Sequence, residues 1–540
     1  MSGADPGFRA RSGLSIEAYN DLADAVGEIV DRAVADRVPA RLAAGDATLW
    51  GPAAESEAAV RLGWFDLPLT SRDLLPRLRT LRSELAAEGV DRIVLAGMGG
   101  SSLAPEVICR TAGVELTVLD TTDPGQVRAA LTERRERTLV VVSSKSGSTV
   151  ETDSHRRAFA QAFADAGMNA EQVGRRFVAV TDPGSPLEQA ARKEGYRQVF
   201  LADPNVGGRY SALTAFGLVP SALAGVDVAR LLNDAEAVST ALSHDSANPG
   251  LDLGAALGAA YARGRDKIVI ADTGSGLVGL GDWVEQLLAE STGKDGRGLL
   301  PVVVESPDAP GVSGSDVFLV TVGPGVDGGG ATISGPLGAQ FLVWEYATAL
   351  AGRVIGINPF DQPNVAESKD NTRRLLAGGL PEPAPLFTDG AIQVFGDSRV
   401  LGDARSVTAA LHALLGTIPD RGYLAVMAYL DRHADASAAD LRTSLARATP
   451  HPVTFGWGPR FLHSTGQFHK GGPQSGAFLQ VTGAVAEDLA VPGRPYTFGQ
   501  LQAAQWAGDL QALAGRDRPV VRLHLTERSA GLGQLLEAVV

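Results

Sequence analysis

Short apolar runs alternate with helical segments from the end of the first hundred residues onward, and this alternation constrains the fold more than any other feature. The runs cover residues 92–96, 116–119, 139–142, 177–180 and 199–201. Most of them are too apolar to be strands with one face in water, which is typical of the buried strands of a parallel sheet. The sequence therefore predicts a doubly wound α/β domain, whose ligands bind at the carboxyl ends of the strands.

The same alternation continues through the rest of the chain. Further strands are predicted at 268–271, 300–304, 318–322, 354–357, 392–395, 423–429 and 453–455. Helices are predicted at 14–45, 70–88, 404–415 and 438–446, and the proline-rich stretch 381–385 is predicted to be a linker. We therefore predict N-terminal helices and a first domain with the phosphate loop in 1–225, a second domain in 226–380, and an α/β C-terminal region in 381–540.

Composition limits the class of protein. The chain has 540 residues and a formal charge of −14, which argues against nonspecific nucleic-acid binding and means that an anionic ligand needs a local site of basic and N–H groups. The single cysteine, Cys109, excludes an intramolecular disulfide and fits a reducing compartment. The sequence shows no secretory signal and no apolar run of membrane-spanning length. We therefore expect a cytoplasmic protein without membrane segments.

The stretch 140–152, VVVSSKSGSTVET, ends an apolar run abruptly in small hydroxyl residues. Ser144, Ser146, Ser148 and Thr149 can donate hydroxyl groups, and Gly147 lets the backbone close around an anion. The helix that starts near Thr149 adds free N–H groups and the positive end of its dipole. The stretch therefore predicts a phosphate-binding turn, and the alternative is a serine-rich loop that only caps a helix.

Two other glycine-rich turns follow predicted strands. GMGGSS at 97–102 lacks the third spaced glycine of a dinucleotide fingerprint, but the next strand ends in Asp120, where such a fold would hold ribose. NAD binding therefore stays an alternative. In NVGGRYS at 205–211, Arg209 directly follows Gly208 and can approach a ligand closely, although the turn could also be a simple surface turn.

Two later segments carry acid, amide and basic groups. WVEQLLAESTGK at 283–294 places Gln286 and Glu290 four residues apart on one face of a helix. Glu285 and Glu290 could instead be solvated surface acids. INPFDQPNVAESK at 357–369 is predicted to be a strand end, a proline-bounded turn and the start of a helix that carries Lys369.

Five of these blocks, taken together, resemble the phosphoglucose isomerase family in sequence and in order. They are GMGGSS, SSKSGST, GGRYSALTAFGLVP, EQLLAESTGK and INPFDQPNVAESK. The layout of 390–540 looks like the isomerase half of fused transaldolase–phosphoglucose isomerase proteins. The resemblance implies two sugar-isomerase-type, flavodoxin-like domains with doubly wound parallel sheets, followed by an α/β C-terminal region.

The activity that the resemblance implies is the reversible conversion of glucose 6-phosphate and fructose 6-phosphate, in glycolysis and gluconeogenesis. The family works through a cis-enediol without a metal or nucleotide, so we expect a small sugar phosphate as the partner and no cofactor. A noncatalytic sugar-phosphate-binding protein and an isomerase that also accepts mannose 6-phosphate remain as alternatives.

The resemblance also implies roles for particular residues. Glu290 would move the proton between C2 and C1, Arg209 would face the negative charge of the enediolate, and Lys369 would help to open the sugar ring. Gln286 and Gln362 would bind sugar hydroxyls or phosphate. The remaining substrate-binding set is Ser144, Lys145, Ser146, Ser148 and Thr149 around the phosphate, with Gly100, Ser101 and Gly208.

The histidine that the family uses in ring opening is missing between Glu290 and Lys369. LHSTGQ at 462–467 resembles the LHSLGQ type of segment around that histidine in bacterial members, so we predict that His463 supplies the role from a rearranged C-terminal region. Alternatively, His463 and His469 make only local hydrogen bonds; without a third ligand they would form a poor zinc site. Family members are typically dimers whose histidine crosses from the neighbour. We therefore expect a homodimer, and the sequence leaves open whether His463 acts in cis or in trans.

Overall fold

The computed structural model describes residues 15–17, 20–325, 330–380 and 383–539. The chain begins with β1 (Ser15–Glu17) and the helices α1 (Ala23–Ala35), α2 (Val38–Ala43), α3 (Pro52–Ala58), α4 (Leu67–Thr70) and α5 (Leu75–Ala87). The prediction of one helix over 14–45 is wrong at its start, because β1 pairs antiparallel with the edge of the second sheet. Leu14 lies outside the described residues. The predicted helix 70–88 is confirmed from residue 75 onward, after short helical turns.

The first sheet confirms every strand that the sequence predicts for it. Its strands are β2 (Arg92–Gly97), β3 (Thr117–Leu119), β4 (Thr138–Ser143), β5 (Phe177–Thr181) and β6 (Gln198–Leu201). They are all parallel, in the order β3-β2-β4-β5-β6, which is the flavodoxin-like order. The helices that follow are α6 (Leu103–Thr111), α7 (Pro124–Thr132), α8 (Val150–Asp165), α9 (Ala170–Gly174), α10 (Pro186–Lys193) and α11 (Ala215–Ala224).

The second sheet has the order β1-β10-β9-β7-β8. Its elements are α12 (Val228–Leu242), α13 (Pro249–Ala262), β7 (Lys267–Asp272), α14 (Leu280–Thr292), β8 (Leu300–Val304), β9 (Val317–Val322), β10 (Ala331–Ser334), α15 (Leu337–Ile355) and α16 (Val365–Gly378). The predicted strand at 354–357 is wrong. That apolar run completes α15, a helix that is buried on all sides, and Gly356 ends it with a φ of +78°. The strand of this part of the sheet is β10 instead.

The C-terminal region forms a third, mixed sheet in the order β11-β12-β16-β15-β13-β14. Its strands are β11 (Phe387–Asp389), β12 (Ile392–Gly396), β13 (Tyr423–Tyr429), β14 (Val453–Trp457), β15 (Gly476–Gly483) and β16 (Val520–Leu525). Its helices are α17 (Ser398–Leu401), α18 (Val407–Leu415), α19 (Asp440–Ala448), α20 (Gly466–Gly471), α21 (Phe498–Ala514) and α22 (Arg528–Ala538). The sequence missed the two central strands β15 and β16. Part of the predicted linker, residues 381 and 382, lies outside the described residues.

The third sheet packs against both of the others. One apolar cluster joins β7 and β8 of the second sheet to the C-terminal region, and it includes Val269, Leu300, Tyr423 and Phe478. α16 packs along α21. Polar contacts extend this interface, because Arg442 binds Glu305 and Arg528 Nη2 lies 2.7 Å from Asp123 Oδ2. The C-terminal region therefore forms a wall of the crevice at the strand ends.

Candidate functional site

The hydroxyl-rich turn after β4 is organised by its own side chains. Ser144 Oγ lies 2.9 Å from Thr149 Oγ1, and Ser146 Oγ lies 3.1 Å from Ser148 Oγ. Gly147 has a φ of +67°, and a Cβ there would lie 2.7 Å from Leu187 N. Thr149 precedes α8 without a side-chain cap, so the first N–H groups of this helix remain available to an anion. The turn has the donors that the sequence predicts for a phosphate site.

Lys145 is the member of this turn that the structure does not bring to the cavity. Its Nζ lies 2.5 Å from Asp182 Oδ2 and donates a hydrogen bond to Pro204 O at 3.3 Å. The side chain is not among those that line the cavities beside the turn. The neutral hydroxyl and N–H donors of the turn are therefore left without the cation that the resemblance assigns to it.

The glycine turns after β2 and β6 lie directly against each other. A Cβ on Gly100 would lie 1.9 Å from Gly208 O, so glycine is required for this close approach of two backbones. Gly99 has a φ of +56°, and a Cβ there would lie 2.8 Å from Gln286 Nε2. Ser101 is buried beside them. The turns thus bring the backbone at Gly100 and Gly208 together and place Gly99 against the side chain of Gln286.

Asp120, which was the reason to keep NAD binding open, is already engaged. It is buried, and its Oδ2 lies 2.5 Å from Nε of Arg460 in the C-terminal region. An acid that binds ribose in a dinucleotide fold must be free to accept from its hydroxyls. The contact with Arg460 therefore counts against the NAD alternative.

Arg209 and Glu290 form the polar centre of the site. Arg209 Nη1 lies 3.3 Å from Glu290 Oε1, and the two side chains are 2% and 13% exposed. The guanidinium donates its other hydrogen bonds to Ser291 Oγ at 2.7 Å, Gln362 Oε1 at 2.9 Å, Pro359 O at 2.6 Å and Asp361 O at 3.0 Å. These bonds fix a desolvated cation beside one carboxylate oxygen. Glu290 is therefore a largely buried, paired carboxylate and not a solvated surface acid.

Gln286 connects the helix of Glu290 to the segment of His463. Its Nε2 lies 3.2 Å from Glu290 Oε2 and donates a 2.8 Å hydrogen bond to His463 O. Its Oε1 is buried and has no hydrogen-bond partner among the described residues. That oxygen can accept a further hydrogen bond, and leaving it without a partner is costly.

His463 faces Glu151, an acid in the first turn of α8. Its Nε2 lies 3.1 Å from Glu151 Oε1, which also accepts a 2.7 Å hydrogen bond from Gln505 Nε2 on α21. Burial raises the pKa of the Glu151 carboxyl, but attraction to His463, their hydrogen bond and the charge of Lys369 outweigh burial and hold the pKa at about 2. Glu151 therefore keeps a negative charge beside the imidazole.

Sequence reasoning missed Glu151 and Gln505. The available signal was an acid inside the predicted phosphate turn, which repels a phosphate unless a cation neutralises it. The other C-terminal histidine, His469, is buried and bonded to the hydroxyl of Tyr423 at 3.0 Å. Burial lowers the pKa of His469 well below its usual value. This histidine therefore makes a local hydrogen bond, as the alternative interpretation of the sequence has it.

The segment of His463 is fixed to the second sheet's side of the crevice. Gln467 on α20 donates a 2.9 Å hydrogen bond to Gly293 O at the end of α14 and accepts one of 2.9 Å from Asn364 N at the start of α16. Residues 460–471 therefore lie between the two segments that carry the predicted acid and the predicted lysine.

α16 presents two cations to the same cavity. Lys369 and Arg373 are four residues apart, so they share one helix face. They line a cavity together with Ser146, Ser148, Glu151 and His463. Sequence reasoning had found Lys369 but not Arg373. In the described part of the chain, no group of His, Cys, Asp or Glu side chains could hold a metal ion, and no helix there is long and apolar enough to span a bilayer.

The fold and this arrangement define a doubly wound α/β protein with a hydroxyl-rich turn after β4 and a buried acid–arginine pair. The family model of phosphoglucose isomerase matches residues 77–297. A glucose-6-phosphate isomerase from Rubrobacter xylanophilus is 30% identical over 383 residues, which cover 57% of this chain and 87% of that protein. One from Symbiobacterium thermophilum is 29% identical over 396 residues, covering 58% and 86%. The chain belongs to the phosphoglucose isomerase family.

Solved structures agree with this assignment at the level of the fold. A hypothetical protein from Thermus thermophilus matches with a TM-score of 0.55 and 26% identity, covering 67% of this chain and all of that one. A glucose-6-phosphate isomerase from Chlamydia trachomatis matches with a TM-score of 0.50 and 21% identity, covering 60% and 74%.

Proposed function

We propose that this protein interconverts glucose 6-phosphate and fructose 6-phosphate through a cis-enediol. The observation that carries the proposal is the contact between the buried guanidinium of Arg209 and the carboxylate of Glu290, beside a turn of hydroxyl donors. Proton transfer next to a carbonyl needs a base and a cation that faces the developing oxyanion. The family relatives named as glucose-6-phosphate isomerases support the same reaction.

In the proposed reaction, the hydroxyls of Ser144, Ser146, Ser148 and Thr149 and the first N–H groups of α8 hold the phosphate. The phosphate takes no part in the chemistry, but its binding fixes the position of the open-chain sugar. Gly100, Ser101 and Gly208 form the adjacent wall.

Glu290 removes the proton from C2 of the aldose, which leaves an enediolate with negative charge on the C1 oxygen. A proton passes from the C2 hydroxyl to the C1 oxygen, and the carboxyl group of Glu290 then delivers a proton to C1 as the C2 oxygen becomes the ketone. Arg209 stabilises the negative charge on the enediolate oxygens, and Gln286 orients Glu290 through the 3.2 Å contact to Oε2. Gln362, held by Arg209, faces the sugar.

Ring opening falls to His463, with Lys369 beside it. Glu151 orients the imidazole through the 3.1 Å contact between its Oε1 and His463 Nε2. We propose that His463 acts in cis, since the same chain that supplies Glu290 also supplies the histidine. Each chain of the proposed homodimer then contains a complete site. We also propose a cytoplasmic location.

The test is conversion of fructose 6-phosphate by the purified protein, coupled to oxidation of the glucose 6-phosphate formed. We expect Glu290→Gln to lose roughly a hundred- to ten-thousand-fold in kcat, the usual scale for a general base. His463→Ala should slow the reaction of closed-ring sugar more than that of an open-chain substrate. Near-normal turnover of Glu290→Gln would contradict the assigned base. Binding of the sugar phosphate without turnover of the wild type would favour the noncatalytic alternative.

Mannose 6-phosphate differs from glucose 6-phosphate at C2, and the free Oε1 of Gln286 is positioned to accept from a sugar hydroxyl. Conversion of mannose 6-phosphate by the wild type would support the dual-specificity alternative. If the wild type rejects mannose 6-phosphate and Gln286→Ala converts it, the discrimination between the two sugars is assigned to the Gln286 amide.

A further inference from the structure

The phosphate turn offers only neutral donors to a charged group. A sugar phosphate carries about −1.5 to −2 charges at pH 7, and the chain as a whole carries a formal charge of −14. The lysine within the turn, Lys145, is paired with Asp182 at 2.5 Å. A cation from another element is therefore needed to balance the phosphate.

Most of the cations near the turn are neutralised by fixed acids. A second and larger cavity beside the turn, with a volume of about 650 Å³, is lined by Arg156 and Arg494. Both arginines contact Asp153, at 2.9 Å and 2.6 Å. Arg156 also binds Glu194 at 2.6 Å. These contacts hold both guanidinium groups on carboxylates and away from a ligand.

Arg373 is different in position and in pairing. It lines both the larger cavity and the cavity of His463 and Lys369, and both cavities are also lined by Ser148 and Thr149. Its ion pair is with Asp370 at 2.9 Å, and the two side chains are 67% and 63% exposed. An exposed pair of this kind contributes little free energy, so a phosphate can displace the aspartate at small cost.

Lys369 and Arg373, the two cations on this face of α16, have different neighbours. Lys369 acts on the carboxyl of Glu151, whose pKa its charge helps to lower, and therefore serves the end of the cavity where His463 lies. Arg373 is one helical turn further along the same face. It also lines the cavity that Ser144 and Gly147 of the turn line, whereas Lys369 is not among the residues that line that cavity.

We infer that Arg373 is a phosphate-binding residue of this site, its guanidinium donating two hydrogen bonds to the phosphate oxygens. This inference rests on the proposed function, because it assigns a ligand for the same sugar phosphate. A planar guanidinium matches two phosphate oxygens better than an ammonium group, so lysine at this position should replace arginine only in part.

The test compares Arg373→Gln, Arg373→Lys and Lys145→Gln with a matched control, Arg374→Gln. Arg374 is the next residue on α16, but it donates to Asn371 and lines neither cavity. Calorimetry measures the Kd for inorganic phosphate, with fructose 6-phosphate as the competitor that assigns the signal to this site. Steady-state kinetics then separate KM from kcat.

We expect Arg373→Gln to weaken phosphate binding and to raise KM about 10- to 100-fold, the scale of one charged hydrogen-bonding group, with kcat within about threefold. Arg373→Lys should fall between Gln and the wild type, and Arg374→Gln should match the wild type. Unchanged phosphate affinity in Arg373→Gln, or a loss of affinity in Lys145→Gln alone, would overturn the inference. A wild type that binds phosphate through Arg373 but does not isomerise would overturn only the proposed function.

Discussion

Mixing two inactive variants tests whether one chain contains a complete site. Glu290→Gln removes the proposed base, and His463→Ala removes the proposed ring-opening group. In the structure these two residues belong to the same chain and meet through Gln286, which contacts Glu290 Oε2 at 3.2 Å and His463 O at 2.8 Å. A site of this kind cannot be repaired by a second chain.

The packing of the C-terminal region argues against exchange between chains. Gln467 binds Gly293 and Asn364, and Lys470 forms a buried 2.7 Å ion pair with Asp509, with side chains 2% and 1% exposed. Separating such an interface leaves uncompensated buried charges and amides, which typically costs several kcal/mol. The segment of His463 therefore stays with its own α14.

The assay co-expresses the two variants with different affinity tags, purifies the mixture and measures isomerisation on closed-ring fructose 6-phosphate. If the histidine crossed to a partner, half of the dimers would be mixed and one of the two sites in each would be intact, so about a quarter of wild-type activity would return. Our account predicts activity no higher than the sum of the separate variants. Recovery near a quarter would refute it.

Three further outcomes follow from the geometry. Glu151→Gln should slow ring opening without lowering the affinity for phosphate. Because the pKa of Glu151 is held at about 2, the carboxylate stabilises the folded protein above its usual pKa, and this contribution is lost as pH falls toward 2. The free energy of unfolding should therefore differ less between pH 3 and pH 6 in the variant than in the wild type. Glu345 is buried, both of its carboxyl oxygens lack a partner among the described residues, and burial raises its pKa well above the usual value. The wild type should therefore lose stability as pH rises above about 4.3, the usual glutamate pKa. Glu345→Gln should have a higher Tm than the wild type at pH 8 but not at pH 4. Gly147→Ala should weaken phosphate binding at least about tenfold, because its Cβ would lie 2.7 Å from Leu187 N at a positive φ; an unchanged Kd would show that the turn relaxes freely.

The parallel strands were predictable because burial on both faces leaves a simple pattern of continuous apolar residues. The errors have physical reasons. Residues 354–357 are equally apolar because α15 is buried on all sides, and periodicity alone does not separate a buried helix end from a buried strand. β1 departs from its helical pattern because an open sheet edge at β10 offers backbone partners.

The placement of candidate side chains was predictable where one local stretch contains both the polar groups and the backbone that positions them, as in the turn after β4 and in α14. Contacts between distant elements were not. Gln505 and Arg373 carry no local signal, and the acid at Glu151 does not reveal its partners, because these roles arise only when α8, α16 and α21 meet. Lys145 is the opposite case, since its place in the turn predicts a phosphate ligand and the nearby Asp182 takes up its charge.

The most direct test of the central claim is isomerisation of fructose 6-phosphate in deuterium oxide, followed by NMR at C2 of the glucose 6-phosphate formed. Proton transfer by Glu290 through an enediol predicts deuterium at C2, because the proton on the carboxyl group exchanges with solvent before it is delivered. The rate of labelling should fall together with turnover in Glu290→Gln. Conversion without any deuterium at C2, or an unchanged rate of labelling in Glu290→Gln, would contradict the account.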